Sequence, residues 1–185
     1  MVTMPFDPNL HRRRSIRLPD YDYSQPGTYF VTIVCKDRVL LLTDLVFRAI
    51  VEEAWLWLAD RHDYVTLDAY VIMPNHLHGV LLISNPRRGG SRTAPTQPPP
   101  HKPLGSLIGA FKTVSTKRIN AMRATSGVPV WQRNYYERII RDENELNRVR
   151  TYIQDNPSRW EEDLENPSRS RRPRPRTEPA HVWVP

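Results

Sequence analysis

The sequence predicts an α+β fold: a ferredoxin-like βαββαβ antiparallel sheet with helices on one face, followed by a C-terminal helix. Three observations carry this. Segments rich in β-branched and aromatic residues alternate with segments whose apolar residues recur at helical spacing. Two of the strand segments are separated only by Pro74-Asn75, a turn dipeptide that makes them a hairpin. The order of the first six elements then matches one known two-layer plan.

The first strand spans Tyr29 to Lys36, where Phe30, Val31, Thr32, Ile33 and Val34 favour a pleated, half-buried surface. A helix follows from about Asp44 to Asp60. Phe47, Ile50, Val51, Ala54 and Leu58 fall on one side of it, and Asp44 is placed to cap it. Val65 to Met73 and His76 to Ser84 are the second and third strands. The third is apolar on both faces (Val80 and Leu82 against Leu77, Leu81 and Ile83), which predicts a central position. A second helix runs from Leu104 to Arg123, with Leu107, Ile108, Phe111, Ile119 and Met122 near one face. Val130 to Ile140 reads as the fourth strand. The last helix begins at Asp142, whose spacing to Glu145 resembles a capping box. It is expected to end at Asn156, because Pro157 disfavours helical geometry in the residue before it.

The chain has 185 residues, with 27 Lys+Arg against 20 Asp+Glu, for a formal net charge of +7. That length suits one domain with tails. Residues 1–22 form a basic arm holding Arg12, Arg13, Arg14 and Arg17, residues 23–160 the folded domain, and residues 161–185 an Arg/Pro-rich tail. Six prolines within 85–103 mark a flexible loop inside the domain. The lone Cys35 excludes an internal disulfide and reads as a small hydrophobe in a strand. No run of about 18 apolar residues exists, and the N-terminus lacks the layout of a signal peptide, so a cytoplasmic protein with no membrane partner is expected. The recurring basic charge points to a polyanionic partner, held by release of counterions. Arg13, Arg14, Lys112, Lys117, Arg118 and Arg133 are the candidate backbone contacts, with Tyr135 and Tyr136 available to stack on bases.

The sharpest local signal is Pro74-Asn75-His76-Leu77-His78. Alternation along a strand puts His76 and His78 on one face and Leu77 on the other. Two neutral imidazoles at that spacing can chelate a divalent cation. The alternative is a pair of hydrogen-bonded histidines in a half-buried strand. Burying them without partners is costly, so something must satisfy them. On the last helix Leu146, Val149 and Ile153 form the apolar stripe, and Tyr152 and Asn156 share one flank at i and i+4. Spacing alone makes Tyr152 a boundary residue of an amphipathic helix.

Several segments together carry more information. Tyr23-Ser-Gln-Pro-Gly-Thr-Tyr-Phe-Val-Thr-Ile, Val71-Ile-Met-Pro-Asn-His-Leu-His-Gly-Val, Gly109-Ala-Phe-Lys, Val130-Trp-Gln-Arg-Asn-Tyr-Tyr-Glu-Arg-Ile-Ile-Arg and Tyr152-Ile-Gln-Asp-Asn-Pro occur in an order that resembles the REP-associated tyrosine transposases. These are relatives of the insertion-sequence transposases with a His-hydrophobic-His motif and a single tyrosine. The resemblance covers roughly Arg13 to Trp160. It implies a metal-dependent single-stranded DNA endonuclease and strand transferase that forms a 5′-phosphotyrosine. It further implies that Tyr152 is the nucleophile, that His76 and His78 hold Mg²⁺ or Mn²⁺, and that Asn156 completes the metal site. The implied partner is single-stranded or hairpin DNA carrying REP-like palindromes, with the protein acting as monomer or homodimer. The chain departs from the family pattern in a short 38–44 connection and a long Pro-rich segment. Two rival readings stand beside this one. A non-catalytic RNA- or DNA-binding module on the same fold leaves the paired histidines without a task. A small-molecule metalloenzyme needs a nearby Glu and a third His, and none follows His78 until His101.

Overall fold

A computed structural model of the chain describes residues 25–84 and 102–169. The basic arm with Arg13 and Arg14, nearly all of the Pro-rich segment and the tail beyond Arg169 lie outside the described residues. The elements are β1 (Gly27–Val34), α1 (Leu45–Arg61), β2 (Val65–Ile72), β3 (His76–Ile83), α2 (Leu104–Met122), β4 (Tyr136–Ile140) and α3 (Glu143–Asp155). Short 3₁₀ turns occupy Lys36–Arg38, Leu41–Thr43 and Asn156–Glu162. The strands form one antiparallel sheet in the order β2-β3-β1-β4, with β3 in its predicted central position and β1 beside it.

Helix starts follow local chemistry. Asp44 accepts from the Val46 and Phe47 amides at 2.8 and 3.3 Å. Asp142 accepts from the Glu145 amide at 2.7 Å. The Glu145 carboxylate reaches back to the Arg141 amide at 3.0 Å, one residue outside the cap of a standard capping box. α3 stops at Asp155, and Pro157 opens the 3₁₀ turn that follows, where its missing N–H is no loss.

Alternation along the central strands builds two layers. Tyr29, Val31, Ile33, Leu77, Leu81 and Ile83 join Trp55, Leu58, Leu107 and Phe111 in the larger core, under α1 and α2. Phe30 and Val80 face the opposite way and pack with Ile140, Leu146, Val149 and Ile153 under α3. Gly79 belongs to the first face, where a Cβ would lie 2.4 Å from Trp55 Cζ2, so only glycine lets the indole approach this closely.

One strand is shorter than its sequence predicts. Of Val130 to Ile140, only Tyr136–Ile140 pairs continuously with β1, while Trp131 makes an isolated bridge to Cys35. The intervening carbonyls of Gln132, Arg133 and Asn134 are taken by Lys112 Nζ at 2.8, 3.3 and 3.0 Å, which holds that stretch as a loop. β2 carries a register shift between Leu67 and Tyr70. A bulge re-aims side chains, and here Asp68 meets α3. Among the described residues no helix is long and apolar enough to cross a membrane.

Candidate active site

The site lies on the α3 face of the two central strands. His76 pairs with Val34 and His78 with Thr32, so the two imidazoles stand side by side on the even-numbered face. Their Nε2 atoms are 2.9 Å apart and the rings meet at 73°. Both histidines are buried. Phe30 stacks on His78 with ring centroids 5.5 Å apart. The outer nitrogens are also occupied: His78 Nδ1 is 2.8 Å from Thr32 Oγ1, and His76 Nδ1 is 2.9 Å from Asn75 Oδ1. Burial pushes the His76 pKa down to about 4, against a weaker upward pull from Glu165. Burial, with His76 beside it, holds His78 well below the usual range. Both rings are therefore neutral at neutral pH, the state in which imidazole nitrogen binds a cation.

Tyr152 comes to this pair from α3. Leu146, Val149 and Ile153 seat the helix on Phe30, Val80 and Ile140. Two ion pairs hold its flanks. Arg150 engages Asp68 of β2 through two bonds, at 2.8 and 2.7 Å, and Glu145 meets Arg138 of β4 at 2.6 Å. The Tyr152 hydroxyl then lies 3.2 Å from His78 Nε2, with the phenol ring edge-on to both His78 and Phe30. Burial, followed by the negative charge of Asp163, pushes the Tyr152 pKa up to about 12, while a hydrogen bond from the Asn156 amide acts in the opposite direction.

Sequence reasoning missed Asp163. The 3₁₀ turn after α3 returns the chain to the sheet, and Asp163 Oδ2 sits 3.7 Å from His76 Nε2. Single ligand atoms of His76, His78 and Asp163 lie within 4.8 Å of one another. Burial raises the Asp163 pKa. Asp163 Oδ1 accepts from the Glu165 amide at 2.6 Å, the Glu165 carboxylate pairs with Arg38 at 2.7 Å, and the Trp160 ring lies 6.2 Å from His76. In sequence, Glu161-Glu162-Asp163 looks like a solvated acidic run at the start of a tail. Trp160 beside it was the one hint that the chain is still folded there.

Asn156 is buried, and among the described residues its Oδ1 has no hydrogen-bond partner. An orphaned buried amide oxygen, two neutral imidazoles and a carboxylate make a donor set that suits a divalent cation accepting nitrogen and oxygen ligands.

The structure separates the expected DNA contacts. Lys112, Lys117 and Arg118 lie on α2, on the far side of the sheet from the histidines, and do not join the site. The Lys112 ammonium holds the 132–134 carbonyls above the Tyr135 ring, and burial pulls its pKa down to about 8. Arg118 pairs with Glu53. Tyr135 packs against the α1/α2 core rather than standing free for bases. Arg133 is exposed in the loop before β4. Tyr136 differs from all of these. It pairs with Thr32, is 40% exposed and meets Phe30 edge-on at 6.3 Å, beside the histidine pair.

No family model matches the chain. It is 35% identical over 177 residues to an uncharacterized protein of Haemophilus influenzae, covering 88% of this chain and 97% of that one. It is 30% identical over 149 residues to another Haemophilus influenzae protein, one assigned to the REP-associated tyrosine transposases, covering 74% and 73%. A REP-associated tyrosine transposase solved bound to a REP hairpin shares the fold, with a TM-score of 0.54 at 18% identity over 78% of this chain and 73% of that one. With a matching fold, sequence identity along most of its length and a histidine pair faced by a helical tyrosine, the chain belongs to the REP-associated tyrosine transposases, a family of DNA-processing enzymes.

Proposed function

We propose that this protein is a metal-dependent single-stranded DNA endonuclease and strand transferase that works through a 5′-phosphotyrosine on Tyr152. The observation that carries the reading is the 3.2 Å approach of the Tyr152 hydroxyl to His78 Nε2, beside His76 and Asp163. His76, His78 and Asp163 would hold the cation, with Asn156 Oδ1 as a further ligand. A bound Mg²⁺ or Mn²⁺ would supply the positive charge that polarises a scissile phosphate and favours the phenolate.

The remaining chemistry belongs to the chain. With its pKa at about 12 the phenol is protonated at neutral pH, so the half-buried ring is inert until the site is loaded. The Asn156 amide already favours the ionised oxygen. Attack forms a bond from the Tyr152 oxygen to phosphorus and breaks the bond from phosphorus to the 3′ oxygen, which leaves as a hydroxyl. The phosphodiester is exchanged rather than hydrolysed, so a second 3′ hydroxyl can reverse the step without ATP. Packing against Phe30 and the ion pairs of α3 hold the attacking group in place, which is the positioning component of the rate. Tyr136, exposed beside Phe30 and the histidine pair, would stack on a base of the bound strand, and Arg133, with Arg13 and Arg14 of the arm, would hold flanking phosphates. A hairpin substrate is favoured by the REP hairpin bound to the related structure.

The test is a labelled single-stranded oligonucleotide carrying a REP-like hairpin, incubated with Mn²⁺ and run on a denaturing gel. Wild type should give an SDS-resistant adduct, and Tyr152→Phe should give none while still shifting the DNA on a native gel. An adduct from the Phe variant would refute the assignment. A wild-type protein that binds without ever forming one would leave only a DNA-binding module.

A further inference from the structure

We infer that Asn75 is a positioning residue that sets the tautomer of His76 and fastens the Asp163 segment to the histidine strand. The inference extends the proposed cation site, since it concerns which lone pairs that site can offer. Asn75 is fully buried. Its Nδ2 is 3.1 Å from the Arg38 carbonyl and 2.7 Å from the Glu165 carbonyl. Carbonyl oxygens have no hydrogen to give, so the amide nitrogen must face both of them. The other end of the amide, Oδ1, is thereby turned to His76 Nδ1 at 2.9 Å. It too can only accept, so Nδ1 carries the hydrogen. A neutral imidazole has one N–H, so His76 Nε2 is left bare, pointing its lone pair at His78 and Asp163.

His78 is held differently. Its Nδ1 partner is the Thr32 hydroxyl, which can donate or accept. With His76 Nε2 bare, the 2.9 Å contact between the two Nε2 atoms requires His78 to carry its hydrogen on Nε2 in the cation-free protein. His76 is thus preset to donate a lone pair, whereas His78 must first shift its proton to Nδ1 while the Thr32 hydroxyl turns to accept it.

The surroundings of Asn75 fit this role. Asp37 and Arg38 both have positive φ, at 56° and 57°, a conformation that side-chain-bearing residues rarely adopt. That turn presents the Arg38 carbonyl to Asn75 while the Arg38 side chain pairs with Glu165. One amide therefore joins the β2–β3 turn, the turn after β1 and the segment bearing Asp163. Such outer partners of metal-binding histidines orient the ring and tune its basicity.

The deciding experiment is a two-bond ¹H–¹⁵N correlation spectrum of the cation-free protein at neutral pH. His76 should appear as the Nδ1–H tautomer and His78 as Nε2–H. Asn75→Ala should turn His76 into a mixture and weaken Mn²⁺ binding, measured by calorimetry, by about 10- to 100-fold. Asn75→Asp keeps an acceptor for His76 and loses both donors. It should preserve the His76 tautomer while speeding hydrogen exchange at residues 163–166. An Nε2–H His76 in the wild type would overturn the inference, as would an Ala variant with unchanged tautomer and Mn²⁺ affinity. A wild type that fails to bind Mn²⁺ would sink the cation site alone, and the spectrum would still decide the role of Asn75.

Discussion

The two faces of the sheet carry different loads. Beneath α1 and α2 the central strands contribute Tyr29, Val31, Ile33, Leu77, Leu81 and Ile83 to a wide apolar core closed by Trp55, Phe111 and Trp131. On the α3 face the apolar cluster is small, and Thr32, His76, His78, Asn75 and Asn156 are buried beside it. Removing imidazoles, amides and a carboxylate from water costs free energy unless each finds a partner. The large core offsets that cost. A β-strand can serve both purposes because neighbouring residues look in opposite directions. His76 and His78 work on one face only because Leu77, Gly79 and Leu81 anchor the other.

That contrast can be broken or sharpened by experiment. The largest stability effect belongs on the core face. Phe111 is fully buried between Trp55 and Trp131, and Phe111→Ala should cost about 3–5 kcal/mol in chemical denaturation. A loss below about 1 kcal/mol would mean that this face is not the one bearing the load.

Next comes acid, which acts on the polar face. His76 is kept neutral down to about pH 4 in the fold, against 6.5 for an ordinary histidine. Below 6.5 the unfolded chain therefore takes up protons that the native state refuses, so stability falls as pH drops from 6.5 towards 4 and is flat above 6.5 on this account. The loss should be on the order of 2–3 kcal/mol, and His76→Gln should flatten much of the slope in denaturation midpoints measured across pH.

Gly79→Ala probes the boundary between the faces, since its added methyl would meet the buried Trp55 indole. A destabilisation of about 1–3 kcal/mol is expected by thermal melting, with Mn²⁺ binding at the histidines retained in the folded fraction. The smallest stability changes come from exposed residues. Lys117→Ala and Tyr136→Ala should each stay within about 0.5 kcal/mol of wild type. Adduct yield should nonetheless separate them, falling several-fold for Tyr136→Ala on the site face and remaining unchanged for Lys117→Ala on the far one. Equal losses would place DNA on α2 and undo the contrast.

Much of this was legible before any fold was in hand. The β-branched run of β1, the helical stripes of α1 and α2, the Asp44 and Asp142 caps and the His-x-His alternation are all short-range patterns. Tyr152 and Asn156 were visible as a pair, but their relation to the histidines came from family resemblance rather than spacing. The fourth strand was overextended because residues 130–135 carry strand-like aromatics, while the lysine that diverts their carbonyls sits on α2. The same long-range contact removed Lys112 from the free basic residues. Asp163 was hidden in an acidic run that composition assigns to solvent, and Asn75 looked like nothing more than a turn residue.

Local order of residues alone determined the element types, their sequence along the chain and the shared face of the two histidines, because strand and helix periodicities depend only on near neighbours. Tertiary structure alone decided which carboxylate approaches His76, which amide sets its tautomer and which side of the sheet each basic residue occupies. The Asn75–Glu165 contact spans 90 residues. No local pattern encodes such a contact. It exists because packing α3 on the sheet and turning the chain back through Asn156–Glu162 brings two distant segments within hydrogen-bond reach.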